Sequence, residues 1–267
     1  MERRLARVTT PQLSSIRQAD PALRMGVIIP VGAVEQHGAF LPVTCDTDIA
    51  IGAADALAEQ LSANLRYRAW VAPAVPYGPV PGAALTAGTS SVGFAELGAY
   101  LSAVVGGFAA TGTWDFAVLV NAHAHNHGRV IEASSVTYGQ HRVPVLVLHV
   151  YDYQRVCDGL DVTPGSHGGE FEIALHRHYT GIEPHDAVVS TLELPRPRPA
   201  SVFGLDLLPR SFEGIVAPAV PSVARAVAAS DHIGQRMDAA LAARALADLD
   251  TYFEHWHAHR DEPERSR

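Results

Sequence analysis

Cysteine is nearly missing from this 267-residue chain. Cys45 and Cys157 are too few for a disulfide framework or a cysteine-based zinc site, and they read as ordinary thiols of a reducing compartment. Clusters of positive charge are missing too: 20 Lys and Arg stand against 28 Asp and Glu, a net charge of -8. That balance argues against a nucleic-acid partner. No apolar run is long enough to cross a bilayer, and Met1-Glu2-Arg3-Arg4 leads into a mixed polar segment unlike a signal peptide. Neither an internal repeat nor a convincing linker divides the sequence. From these absences a soluble, cytoplasmic protein is expected. One domain is expected over residues 1–267, closing with a short charged tail, Arg260-Asp261-Glu262-Pro263-Glu264-Arg265.

What is present suits one large core, since 48 % of residues are hydrophobic and 18 % charged. Apolar runs at 25–32, 69–75, 115–120 and 143–150 have the length and β-branched content of buried strands. Helical patterns lie between them, from Asp46 to Leu61, Phe94 to Ala109 and His127 to Gln140. This alternation predicts an α/β fold with a mainly parallel sheet covered by helices on both faces. A short helix near 11–16 is expected to cover a sheet edge, and an amphipathic helix to run from Ser230 to His257. Residues 184–222, rich in Pro and Arg, read as a lid or an oligomer contact.

The 14 histidines matter through their clustering. Gly32-Ala33-Val34-Glu35-Gln36-His37-Gly38 follows the first strand, where open parallel sheets bind ligands. If the strand continues that far, Glu35 and His37 leave one face and meet one ion or two adjacent ions. A carboxylate and an imidazole flush against a buried strand are expensive to desolvate unless paired or bound to a cation. Asp46 opens the next helix, either as an N-cap or as a further ligand. Asn121-Ala122-His123-Ala124-His125-Asn126 ends the third strand in the same way, with His123 and His125 in alternation as nitrogen donors. In a third cluster, Gly168-Gly169 bends the chain so that His167 points inward, while Glu172 lies on a first helical turn.

By these residues and their order the chain resembles the creatininase family, also called creatinine amidohydrolases. The motifs are Gly32 to Gly38 with Leu41-Pro42 and Asp46, then Asn121, His123 and Asn126, then His167-Gly168-Gly169 with Phe171-Glu172. The resemblance covers most of 25–180; Gly214-Ile215-Val216 matches the family's glycine-rich segment only weakly. It implies a three-layer α/β/α sandwich and a homo-oligomer, commonly a hexamer. It also implies two divalent ions per subunit, zinc or else manganese or iron. Carried over by position, Glu35 and His123 resemble ligands of one metal, His37 a ligand of the second, and Asp46 the bridge. His125 stands where the family has Glu or Gly, and either ligates the second ion or stands clear of it. Phe40 replaces a frequent His, and Tyr151 and Thr163 take the approximate places of substrate-binding tryptophans, which disfavours creatinine itself.

The implied chemistry is hydrolysis of a C–N amide bond in a small molecule: a cyclic amide, a formamide or a short peptide. Paired divalent ions ionise water and polarise a carbonyl. His167 would move the proton, and Glu172 would orient it or complete the second metal's shell. Tyr77, Thr89 and Tyr151 are expected to touch substrate, with backbone N–H groups around Gly88-Thr89 near the oxyanion. Competing readings are ring opening of a keto-sugar, a peptidase of cofactor maturation, or an inactive relative that binds a metal or ligand.

Overall fold

Val27-Ile28-Ile29 and Ala117-Val118-Leu119-Val120 carry no polar face, and both segments are buried on two sides in the centre of a parallel sheet. The computed structural model describes residues 2–81, 86–164, 167–184 and 222–259. Its strands, β1 (Arg24–Val31), β2 (Tyr67–Val71), β3 (Phe116–Asn121) and β4 (Val145–His149), pair in parallel in the order β2-β1-β3-β4. Six α-helices accompany them among the described residues: α1 (Thr10–Ala19), α2 (Cys45–Ala63), α3 (Phe94–Ala110), α4 (His127–His141), α5 (Glu170–Thr180) and α6 (Val223–His259).

The pleat sorts side chains into two cores. Val27 and Ile29 pack with Leu13, Leu97, Leu101 and Val130 from α1, α3 and α4. Ile28 turns the other way, towards Ile49, Ile173 and Met237 from α2, α5 and α6. The result is a three-layer α/β/α sandwich. Each fully buried aliphatic side chain of this kind contributes roughly 1.5–3 kcal/mol.

Strand order places the site. From β1 the chain crosses outward to β2, and from β3 it crosses the opposite way to β4. The reversal opens a crevice beyond the carboxyl ends of β1 and β3, where doubly wound sheets bind ligands. Both histidine-bearing loops leave from there.

Several boundaries differ from the sequence reading for local reasons. The second strand ends at Val71 instead of Val75. Ala72 N–H still donates to the Ile28 carbonyl (2.8 Å), but Pro73 has no N–H, and the chain rejoins the ladder only at Val75. α6 starts seven residues earlier than Ser230, where Ser222 Oγ accepts from Arg225 N–H (3.4 Å). α1 sends Leu13 and Ile16 into a core instead of shielding an edge; the outer edge of β2 is covered by Arg3, whose carbonyl accepts from Val71 N–H (2.7 Å). The expectations for most of 184–222, for Gly214-Ile215-Val216 and for the charged tail lie outside the described residues.

Gly32, the first residue past β1, lets α2 approach closely. A Cβ there would stand 2.5 Å from Thr47 Cα, on the turn that carries Asp46. Gly32→Ala should therefore destabilise the protein by about 1–3 kcal/mol through overpacking, read as a lower urea midpoint. An unchanged midpoint would mean that the start of α2 has room to move.

Candidate metal centre

Beyond β1 the chain leaves the sheet and is pinned as a loop. Ser90 N–H donates to the Val34 carbonyl (2.9 Å), Glu35 N–H to the Val43 carbonyl (2.8 Å), and Gln36 N–H to Thr89 Oγ1 (2.9 Å). Thr47 Oγ1 ties the first turn of α2 to the Ala33 carbonyl (2.9 Å), which fixes Asp46 against this loop. After β3, Asn121 Nδ2 donates to the His123 carbonyl (2.8 Å), and Asn126 Nδ2 donates to Asn121 Oδ1 (3.1 Å) and the Gly32 carbonyl (2.9 Å). One amide network thus joins the ends of β1 and β3. The third cluster arrives through Gly168, whose φ of 65° suits glycine and lets its backbone pass against the His37 carbonyl. Gly168 N–H donates to Glu172 Oε2 on the first turn of α5.

These constraints gather two groups of ligand-type atoms: Glu35, Asp46 and His123, and beside them His37, His167 and Glu172. Asp46 faces both. Its Oδ2 lies 3.0 Å from His123 Nδ1 and its Oδ1 lies 3.3 Å from His37 Nε2. Glu35 Oε2 is 3.4 Å from His123 Nδ1, and Glu172 Oε2 is 3.8 Å from His37 Nε2. All but His167 are buried.

The tautomers are set by the backbone. His37 Nδ1–H donates to the Glu35 carbonyl (2.8 Å), and His123 Nε2–H to the Pro79 carbonyl (2.9 Å). Each ring then turns its other nitrogen towards carboxylates, where a neutral imidazole offers only a lone pair. His37 Nε2 and Asp46 Oδ2 are buried without a hydrogen-bond partner. Lone pairs facing carboxylates need a positive charge between them, either a proton or a cation. This donor set of imidazole nitrogens and carboxylate oxygens, with no thiolate, fits a divalent ion such as zinc, manganese or iron.

The electrostatics of the metal-free pocket agree. Burial disfavours charge on His37, but Asp46 and Glu172 outweigh it and push its pKa up to about 10. Burial likewise opposes the charge of Asp46, yet His37 and His123 hold its pKa below the usual carboxylate range. His123 is raised, against burial, by Asp46 and Glu35. Glu35 goes up because burial outweighs the pull of His167 and His123.

Residues 6–249 match the family model described as creatininase, creatinine amidohydrolase. The chain belongs to the creatininase family. Two mycofactocin precursor peptide peptidases are similar to it: 39 % identical over 113 residues for Mycolicibacterium smegmatis and 34 % over 117 for Mycobacterium tuberculosis. Each alignment covers 42 % of this chain and under half of the relative, 44 % and 46 % respectively. Among solved structures, "Creatininase Mn" superposes with a TM-score of 0.66 at 22 % identity, covering 94 % of this chain and 98 % of that one. A creatininase mutant described as Zn-Zn type gives 0.64 at 21 % over 90 % and 97 %. At such identities the likeness shows the fold.

The sequence-expected residues have different fates. Glu35, His37, Asp46, His123, His167 and Glu172 are brought together. Glu35 and His37 are divided between two adjacent groups, as the resemblance implies, although β1 ends at Val31 and the two side chains leave from a loop and not from the strand. His125 joins neither group. Strand alternation stops after His123, and Ala124–Asn126 forms a turn of 3-10 helix that carries the His125 ring to one side, 5.3 Å from that of His123. Thr89 Oγ1 is engaged by Gln36 N–H, so it holds the loop instead of facing open space. Tyr151 directs its hydroxyl at Glu172 and Asp46. Tyr77, half exposed, stands two residues before the Pro79 that anchors His123.

The sequence reading assigned no role to Gln36, Asn121 or His149. Gln36 surrounds His167 Nε2 with its own carbonyl (2.6 Å) and its side-chain amide (3.2 Å), and Gly38 N–H fixes the other end of that amide (3.1 Å). Asn121 Nδ2 also lies 3.0 Å from His149 Nδ1. A polar amide closing an otherwise apolar buried strand was the available signal for Asn121.

In the metal-free protein His37 keeps its proton below about pH 10, so a cation entering at neutral pH must displace it. Metal affinity should therefore rise with pH, by about tenfold per unit for each proton displaced. Calorimetric titration in two buffers of different ionisation enthalpy measures that proton release. Identical heats in both would contradict the protonated resting state.

Proposed function

We propose that the protein is a dinuclear metal-dependent amidohydrolase that cleaves a C–N amide bond, with a short peptide as the favoured substrate class. The observation that carries this reading is Asp46, which turns one carboxylate oxygen to the imidazole of each ligand group. In this reading Glu35, Asp46 and His123 hold one ion, and His37, Asp46 and Glu172 hold the other. Divalent ions so placed supply Lewis acidity and ionise water near neutral pH.

The chain's own residues do the rest. The backbone carbonyls of Glu35 and Pro79 keep both imidazoles in the ligating tautomer. His167 falls within the second group, but its Nε2 is already engaged by the Gln36 carbonyl and it is the most exposed of the six. We assign it to proton transfer, moving a proton from the attacking water to the departing nitrogen. A homo-oligomer with small-molecule or peptide substrates and a cytoplasmic location completes the proposal, as does a single domain over 1–267. No helix among the described residues is long and apolar enough to cross a membrane.

Peptide substrates are favoured by the two peptidase relatives, whose activity comes to this chain only as an inference from partial alignments. Creatinine is disfavoured because Tyr151 and Thr163 take the approximate places of the family's substrate-binding tryptophans, while Trp70 and Trp114 are buried in the core beside α3. Asp46→Ala should lose both ions, measured as metal content per subunit, and at least a thousandfold of hydrolysis across a panel of short peptides, formamides and cyclic amides, on the order of 4 kcal/mol of transition-state stabilisation. A variant that keeps two ions and turnover would reject the shared carboxylate.

A further inference from the structure

Tyr151 lies just past β4, in the helical turns Val150–Cys157, and directs a neutral hydroxyl into this charged pocket. It donates a hydrogen bond to Glu172 Oε1 and stands 3.4 Å from Asp46 Oδ1. The two carboxylates belong to different ligand groups. Phe171 packs against the ring with 6.2 Å between centroids, which fixes the hydroxyl's position from behind.

Glu172 is thereby held at both ends: Oε1 by the Tyr151 hydroxyl and Oε2 by Gly168 N–H. Its Oε2 is the atom that faces His37 Nε2, 3.8 Å away. Without the hydroxyl, Oε1 would face Asp46 across a buried gap with no donor between them, and the carboxylate would be free to rotate away. In the first ligand group Tyr151 meets Asp46, and through Oδ1, the oxygen turned to His37; Asp46 Oδ2 is the oxygen that faces His123, and His123 is anchored by Pro79.

We propose that Tyr151 is a positioning residue that sets the occupancy of the second metal position by fixing Glu172, and that it is not a substrate contact. This rests on the dinuclear reading above and adds a division of labour to it: one ion held by Glu35, His123 and the Asp46 oxygen turned away from Tyr151, the other conditional on a phenol. Hydrogen bonds of this kind behind a metal ligand are typically worth 10–100-fold in affinity.

The test is a stepwise zinc titration of the purified full chain against a chromophoric chelator, comparing the unmodified protein, Tyr151→Phe, Glu172→Gln and the double variant. Tyr151→Phe should bind the first equivalent within about twofold of the unmodified protein and the second 10–100-fold more weakly. Because Tyr151 acts through Glu172, adding Tyr151→Phe to Glu172→Gln should cost nothing further. Excess zinc should restore the kcat of Tyr151→Phe with KM unchanged. Two equivalents bound as in the unmodified protein with a raised KM would overturn the proposal in favour of a substrate contact. Additive losses in the double variant would overturn it as well. Should the unmodified protein itself bind fewer than two ions, the dinuclear reading falls first. Thermal unfolding of each variant shows whether a lost ion reflects a lost fold, and a collapsed Tyr151→Phe would count against a role limited to Glu172.

Discussion

Two imidazole lone pairs aimed at buried carboxylates are an arrangement that a folded protein can hold only with positive charge between them. Asp46 is at its centre, with His123 on one side and His37 on the other. Desolvating that set without compensation costs more than a small domain's whole stability, so the pocket is occupied either by protons or by metal. Every local feature around it serves to keep the nitrogens where the charge must sit. Backbone carbonyls fix the tautomers, the Asn121–Asn126 amides lock the loops of β1 and β3 together, and Gly32 admits the start of α2.

The sheet topology explains why these residues meet although they are far apart in the chain. Reversal of strand order between β1 and β3 leaves a crevice, and the loops that fill it carry Glu35, His37 and His123. α2 and α5 lie on the same face of the sheet and bring Asp46 and Glu172 in from their first turns. Carboxylates there also meet the positive end of each helix. Fold and charge therefore point to one place.

Much of this was legible in the sequence because it rests on local pattern. Continuous apolar runs announce strands buried on both faces, and polar residues that cluster just beyond them mark the sheet's carboxyl edge. What escaped is what depends on distant contacts or on a change of backbone phase. The alternation of His123 and His125 suggested two donors, but a 3-10 turn intervenes and separates them. Tyr151 was picked out for standing near the place of a family tryptophan and Thr89 for its loop; that their hydroxyls meet Glu172 and Gln36 N–H is visible only in the folded chain. The sequence reading gave Glu170 no role, yet it accepts from Thr163 N–H, Ser222 N–H and Arg225, clamping the start of α6 beside the site. No periodicity encodes a clamp between residues 55 positions apart.

The central claim is that one carboxylate is shared by two cations. Anomalous diffraction from crystals of the full chain grown with zinc tests it most directly. The account expects two peaks about 3.5–4 Å apart, one beside Glu35 and His123 and the other beside His37 and Glu172, with Asp46 reaching both. A single peak, or ions bound away from Asp46, would contradict it.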